Sequence, residues 1–390
     1  MAERKRRPPL LDAFGFAAPC TAVHPATLEP LAAGGDLAAT PLPATSRTHP
    51  ERQDLTLAEG CDSASIIIRS SRPARRPANW VRKVQALQSA LTPAVERHGA
   101  LLLPSGSPVA PWGASEPIPG CLQRALRLDL HFDRAEDFGR LHAAVRLVLP
   151  LIPAIAAATP MREGRVTGIL SNRLRACLDL YDRFPERVGA FIPEAVFDQA
   201  EHDRAILGPI ARSAAAAGRA EPPDPQMLNL RAATAHFEQG ILSIHAIDAQ
   251  ENSAADMAVL EFIIAILKAL VGGRWVSTYL QRAWGTDDLA AILLTTIHDG
   301  THAIVTNRDY LLMFGLMKQE EATADRLLQH LFVELYGELS ENARVHISLI
   351  IEQGCLAERL SVRLGHDPGA QRLREAFAAL AACRTDGPFR

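Results

Sequence analysis

The stretch that most constrains the fold is residues 229–271, where a strand-like segment leads through a polar turn into a very apolar helix. In residues 241–247, ILSIHAI, alternate residues share a face, so Ser243 and His245 lie together. Residues 254–271 carry apolar side chains nearly all round at helical spacing. Because a helix of this kind is buried on most sides, we expect the strand and the helix to form the centre of a domain.

The polar residues in this stretch allow two interpretations. Ser243 and His245 precede the cluster Asp248, Gln250 and Glu251. Together these residues could line a cavity, or the strand could have one half-solvated face. The pattern alone favours the second interpretation, since such strands are common in antiparallel sheets.

Two further segments have strand patterns. Residues 65–70, SIIIRS, are rich in β-branched side chains, and residues 126–132, LRLDLHF, alternate so that Arg127 and Asp129 share a face. We expect both to lie in one sheet with 241–247, and the helix at 254–271 to pack on the outer side of that sheet. Residues 137–158 predict a long apolar helix that Pro150 and Pro153 bend or divide. From residue 254 onward the pattern predicts helices and no strands.

Composition narrows the class of protein. The chain of 390 residues is 48% hydrophobic and 22% charged, which is enough for a large core and too apolar for general disorder. A net charge of −3 and an aromatic fraction of 5% argue against nucleic-acid binding. We expect no segment long enough to span a bilayer, no membrane association, and reduced cysteines in a cytoplasmic protein, because the six cysteines show no CxxC spacing.

The organisation expected along the chain is simple. Residues 1–60 predict a poorly ordered N-terminal region with the remnant of a first strand, including an exposed linker over 32–55. Residues 61–390 predict a single domain. His298 and His302 have the helical spacing of metal ligands, but Gly300 between them favours a structural interpretation.

Several motifs occur in an order that points to a family. They are Asn172-Arg173, the G-x-x-I-P-E of residues 189–194, the N-x-R of Asn229 and Arg231, and F-E-x-G-x-x-x-I-x-x-x-D-x-Q-E at 237–251. This series resembles the type 2 glutamate–cysteine ligases, also called carboxylate–amine ligases. The resemblance implies an α+β fold similar to that of glutamine synthetase, with an antiparallel sheet and a large set of outer and C-terminal helices. In that family the sheet cups ATP and metal ions.

The residues that should carry the chemistry depart from the family pattern. Ala17, Pro19 and Ile67 stand where the family has carboxylates, and Pro108 stands where it has a histidine. Its Glu-x-Arg is replaced by Ser243 and His245, and its His-x-Asn by Arg127 and Asp129, while Arg69 stands for a lysine. Since Mg²⁺ takes hard oxygen ligands, these changes remove both metal ligands and charge.

The resemblance and the departures lead to two hypotheses. The first is a catalytically degenerate homologue that acts as a non-catalytic or regulatory subunit or as a ligand-binding protein, without a confident cofactor or metal site. The candidate residues for an anionic ligand are Asn172, Arg173, Arg231 and His245. The alternative is an active ATP-dependent ligase that has re-sited its Mg²⁺ ligands, with Asp129, Asp248 and Glu251 as catalytic candidates. Whether the chain is an enzyme stays open, and the partner expected is a second copy or an active paralogue.

Overall fold

The computed structural model describes residues 10–41, 54–60, 62–103, 120–216 and 224–389, and within them it has an α+β fold. The strands are β1 (Phe14–Val23), β2 (Leu55–Glu59), β3 (Ser65–Ser70), β4 (Leu101–Leu103), β5 (Arg127–His131), β6 (Met161–Arg162), β7 (Arg165–Val166), β8 (Ala233–His236), β9 (Ile241–Ile244), β10 (Ile304–Val305) and β11 (Ala322–Thr323). The main sheet is antiparallel, with the order β2-β3-β1-β5-β9-β8, and β4 also pairs with β1.

Helices cover one face of this sheet and make up most of the C-terminal half. The helices are α1 (Gly34–Ala38), α2 (Val81–Arg97), α3 (Gly120–Gln123), α4 (Ala135–Val148), α5 (Ile152–Ala156), α6 (Asn172–Leu178), α7 (Pro185–Val188), α8 (Gln199–His202), α9 (Gly208–Ala216), α10 (Ser253–Val271), α11 (Thr278–Arg282), α12 (Thr286–Asp299), α13 (Arg308–Met313), α14 (Ala324–Leu335), α15 (Glu341–Gln353), α16 (Leu356–Leu364) and α17 (Ala370–Asp386). Asn252 caps α10, because its side chain accepts a hydrogen bond from the Ala255 backbone.

Strand register divides the sheet into two chemically different faces. Residues paired across an antiparallel ladder share a face, and successive residues along a strand point to opposite faces. The face that carries Phe16, Ile68, Leu128 and Leu242 is fully buried in one hydrophobic cluster with α10. The opposite face carries polar residues, so we name it the polar face. The expectation that α10 packs on one side of the sheet is thus confirmed.

The three predicted strands lie in one sheet, as expected, and β5 and β9 are direct neighbours. β1 separates β3 from β5. From the sequence, only the remnant of a first strand was expected there. β1 is buried along all ten of its residues and is a central strand. Residues 42–53, half of the predicted linker, lie outside the described residues, and the domain boundary at residue 60 stays a prediction.

Pro19 is compatible with a central strand because of where it falls. The ladder between β1 and β5 ends at Ala17, and the ladder between β1 and β4 begins at Thr21. Pro19 therefore lies in the interval between these two ladders, while its other neighbour is Ile67 of β3. A proline is tolerated at such a position, since the N–H that it lacks is not required by either ladder.

Three sequence expectations need correction. No segment long enough to span a bilayer was expected, yet Ala135–Ala156 is long and apolar enough to cross a membrane. In this structure 94% of the most apolar part of that stretch is buried inside the protein, as in a core helix. A 3₁₀ turn at Leu149–Leu151 divides it beside the two prolines, as predicted. The two-residue strands β10 and β11 pair after residue 254, where only helices were expected. Cys177 is disulfide-bonded, so the expectation that all cysteines are reduced is wrong there.

Candidate functional site

A cavity of about 310 Å³ lies on the polar face of the main sheet. Strand register explains its composition, because Ala17 pairs with Arg69 of β3 on one side and with Arg127 of β5 on the other. The two arginines therefore flank a small residue on the same face. The polar lining consists of Arg69, Gln123, Arg127, Gln226, Asn229, Thr234, His236 and His245. The apolar lining includes Ala17, Ile67, Leu122, Met227 and Leu230.

Positive charge exceeds negative charge in this cavity. None of its described lining residues is Asp or Glu, and Asp129, which lies beside Arg127, is already engaged. Arg127 Nε lies 2.9 Å from Asp129 Oδ1, and Ser243 Oγ donates to the same oxygen at 2.6 Å. Arg69 Nε is buried and has no hydrogen-bond partner among the described residues. Burial lowers the pKa of Arg69, and the nearby Arg127 charge lowers it further.

Two histidines in the cavity share one hydroxyl group. Thr234 Oγ lies 3.0 Å from Nε2 of His245 and 3.3 Å from Nε2 of His236. Burial lowers the pKa of His236, and burial together with the Arg127 charge lowers the pKa of His245 to about 3. Both rings are therefore neutral near pH 7, and they do not balance or add to the charge of the arginines.

Unpartnered amide nitrogens complete the polar lining. Asn229 Oδ1 accepts hydrogen bonds from the backbone N–H of Arg231 at 3.3 Å and from its Nη1 at 3.2 Å. These bonds fix the orientation of the amide and leave Nδ2 buried without a partner in the described chain. Gln226 Nε2 is likewise buried without a hydrogen-bond partner in the described chain. A buried donor without a partner is costly, so these groups are suited to an acceptor on a ligand.

The predicted ligand-binding residue Arg173 and the predicted catalytic residue Asp248 form a buried ion pair with each other. Arg173 Nε lies 2.5 Å from Asp248 Oδ1, and both side chains are at most 1% exposed. The other carboxylate oxygen accepts from the Ala158 backbone and from Thr159 Oγ. Arg173 Nη1 also donates to the His245 carbonyl at 3.0 Å. The pair thus ties α6 to the segment after β9.

Three other predicted site residues also have internal partners. Arg231 makes two bonds to Glu194, at 2.6 and 2.5 Å. Glu251 is fully buried and accepts from Arg359 Nη1 at 3.0 Å. Asn172 Nδ2 donates to the carbonyls of Thr159 and Ile169, both at 2.8 Å. These contacts join loops and helices, which is a structural task for each residue.

The structure therefore brings together only part of the predicted set. His245 lines the cavity. Asp129 lies beside the cavity and is bonded to the lining residue Arg127, whereas the other five candidates are joined to internal partners. Four lining residues were not predicted from the sequence to bind a ligand: Arg69, Arg127, Gln226 and Asn229. Arg69 and Arg127 could have been found, because both stand at cavity positions of the family pattern. Gln226 gave no signal, since it lies in a loop with no motif.

The described donor set does not fit ATP with Mg²⁺. No three residues among His, Cys, Asp and Glu converge in the part of the chain that the structure describes. On the polar face, Ala17 and Ile67 offer hydrocarbon, and Asp129 is bonded to Arg127 and Ser243. A divalent cation would meet two guanidinium groups where it requires carboxylates. Pro108 lies outside the described residues.

Comparisons with known proteins agree with the predicted resemblance. Residues 121–294 match the profile of glutamate-cysteine ligase family 2. The chain is 27% identical over 214 residues to an uncharacterized protein of Archaeoglobus fulgidus, and the match covers 53% of this chain and 58% of that protein. The matched profile begins after the strands that carry Ala17, Ile67 and Arg69, where the departures are concentrated.

Solved structures share the fold at low sequence identity. A glutamate–cysteine ligase from Francisella tularensis in complex with AMP has a TM-score of 0.57 at 9% identity, over 95% of this chain and 88% of that one. A bifunctional glutathione synthetase from Pasteurella multocida has a TM-score of 0.52 at 13% identity. That match covers 95% of this chain and 52% of the synthetase. The predicted fold class is confirmed, and at these identities the likeness concerns the fold alone.

The buried Arg173–Asp248 pair leads to a stability prediction. Arg173→Gln leaves a buried carboxylate without its charge partner, so we expect the free energy of unfolding to fall by about 3–5 kcal/mol. Arg175→Gln, two residues further along α6, removes an exposed pair with Asp179 and should cost at most about 1 kcal/mol. Urea unfolding of the two variants measures the difference. Equal losses would contradict a structural role for the buried pair.

The lowered pKa of His245 predicts a pH dependence of stability. Between pH 6.5 and about 3 the unfolded chain binds a proton at this residue and the folded chain does not, so the free energy of unfolding falls as the pH is lowered. His245→Gln should reduce this slope by on the order of 1 kcal/mol per pH unit. His298→Gln, at an exposed ring, is the control. Urea unfolding from pH 7 to 5 tests this, and an unchanged slope would count against a buried neutral ring.

Proposed function

We propose that this protein, whose residues 121–294 match the profile of glutamate-cysteine ligase family 2, is a non-catalytic member of that family that binds a small anion. The cavity on the polar face is the proposed site. The protein would use the family's sheet as a binding surface without forming an acyl phosphate. The cytoplasmic location and the association with a second copy or an active paralogue, both expected from the sequence, belong to this proposal.

One observation carries the proposal. The cavity holds two guanidinium groups, and its lining includes no carboxylate among the described residues. Arg127 shares Asp129 with Ser243, while Arg69 Nε has no described partner. Arg69 and Arg127 are only partly buried, but their like charges lie on either side of Ala17 and repel each other, so an anion placed here would offset that repulsion. Guanidinium groups also match the planar geometry of oxyanions.

The alternative of an active ligase has less support from the site. Two of its three candidate metal ligands, Asp248 and Glu251, are buried in ion pairs with Arg173 and Arg359. Freeing either carboxylate for Mg²⁺ would leave an arginine buried without a partner, which costs several kcal/mol. The third candidate, Asp129, is held by Arg127 and Ser243 and could not hold two metal ions by itself.

ADP release separates the two functions. We expect the purified chain to release no ADP above the background of ATP alone when it is mixed with glutamate, cysteine and Mg²⁺ or Mn²⁺. The physical reason is the absence of converging carboxylates in the described site, since metal stabilisation of the developing charge supplies several kcal/mol in such reactions. Turnover near one per second that Asp129→Ala or Glu251→Ala abolishes would overturn the proposal. A stable Arg308→Gln variant, altered at an exposed residue remote from the described cavity, controls for the effects of substitution.

A further inference from the structure

The chemistry of the cavity also restricts which anion it takes. We infer that its ligand is a small monocarboxylate that carries a second acceptor oxygen and no ammonium group, with 2-oxo acids as the simplest class. This inference rests on the proposed function, because it concerns the same cavity. Amino acids are excluded from this ligand class, because they pair a carboxylate with an ammonium group.

The charge balance of the cavity selects a monoanion. Arg127 is paired with Asp129, whereas Arg69 makes no ion pair among the described residues, so one guanidinium group of the lining is available to a ligand with one negative charge. Burial keeps His236 and His245 neutral near pH 7 because it lowers the pKa of both. A ligand with one negative charge neutralises the site, whereas a triphosphate without metal ions would bring a large excess of negative charge.

The donors and acceptors of the lining argue against an ammonium group. Asn229 Nδ2, Gln226 Nε2 and Arg69 Nε are all donors without a described partner, and each requires an acceptor. An ammonium group offers only donors and needs a carboxylate or other acceptor close by. Asp129 is occupied by Arg127 and Ser243, and the Nε2 atoms of both histidines face Thr234 Oγ. A carbonyl or hydroxyl oxygen beside the carboxylate suits these donors, and an ammonium group does not.

The size and the apolar part of the cavity limit the rest of the ligand. A volume of about 310 Å³ is at the small end for ligand sites. Ile67, Leu122 and Met227 line it beside the polar groups, and so they offer room for a short alkyl chain. Met227 is 63% exposed, which places it at the outer margin of the cavity. A four-carbon 2-oxo acid combines these features.

Calorimetry with 2-oxobutyrate and 2-aminobutyrate tests the inference. The two acids have the same carbon chain and carboxylate, and they differ in a carbonyl oxygen against an ammonium group. On the unaltered chain we expect 2-oxobutyrate to bind at least tenfold more tightly. Arg69→Gln should weaken that binding tenfold or more, because it removes the charge opposite the carboxylate, while Arg308→Gln should not change it. Circular dichroism and thermal melts of both variants verify folding.

The possible outcomes separate this inference from the proposed function. If both acids bind equally and both require Arg69, anion binding stands and the exclusion of ammonium groups is wrong. Tighter binding of methyl phosphate or inorganic phosphate than of 2-oxobutyrate would overturn the assignment to monocarboxylates while also leaving anion binding in place. If no carboxylate or phosphate binds, the proposed function fails and this inference fails with it. The comparison of ligands uses the unaltered chain, so it does not depend on the folding of any variant.

Discussion

The division of the main sheet into an apolar face and a polar face is the constraint on which the rest of the structure depends. Antiparallel register sets Ala17, Arg69, Arg127 and Thr234 on one side and sends the intervening residues into the core beneath α10. A shift of one residue in the β1–β3 ladder would turn Arg69 towards α10, and the same shift in the β1–β5 ladder would turn Arg127 that way. The hydrophobic face therefore fixes the position of the cavity as firmly as it fixes the fold.

The residues that match the family pattern and those that depart from it perform different tasks. Asn172, Arg173, Arg231, Asp248 and Glu251 match the pattern, and the structure gives each an internal ion pair or hydrogen bonds that join separate elements. The described positions that differ from the family pattern lie on or beside the polar face. This separation explains how a chain can keep the ligase fold with a site that does not fit the ligase cofactor.

The sequence predicts the elements of the fold better than it predicts the site. Residues 254–271 and 241–247 have strong periodicity, and the fold places them as expected because burial decides both. β1 was underestimated, since Pro19 and several alanines weaken its strand pattern, and its pairing with three other strands is a tertiary effect. The site required knowledge of which charged groups find partners. Sequence shows that Arg173 and Asp248 are both present, but only folding brings them 2.5 Å apart and leaves Arg69 Nε without a described partner.

The central claim is that the polar face binds an anion without a divalent metal. Its most direct test is the dissociation constant of 2-oxobutyrate, measured once in EDTA and once in MgCl₂ with ATP. Guanidinium groups bind a carboxylate with no need of a metal, so the account predicts dissociation constants that agree within about twofold, because a factor of two is less than 0.5 kcal/mol. Binding that occurs only with ATP and Mg²⁺ would contradict it, since the cavity would then act as a metal–nucleotide site.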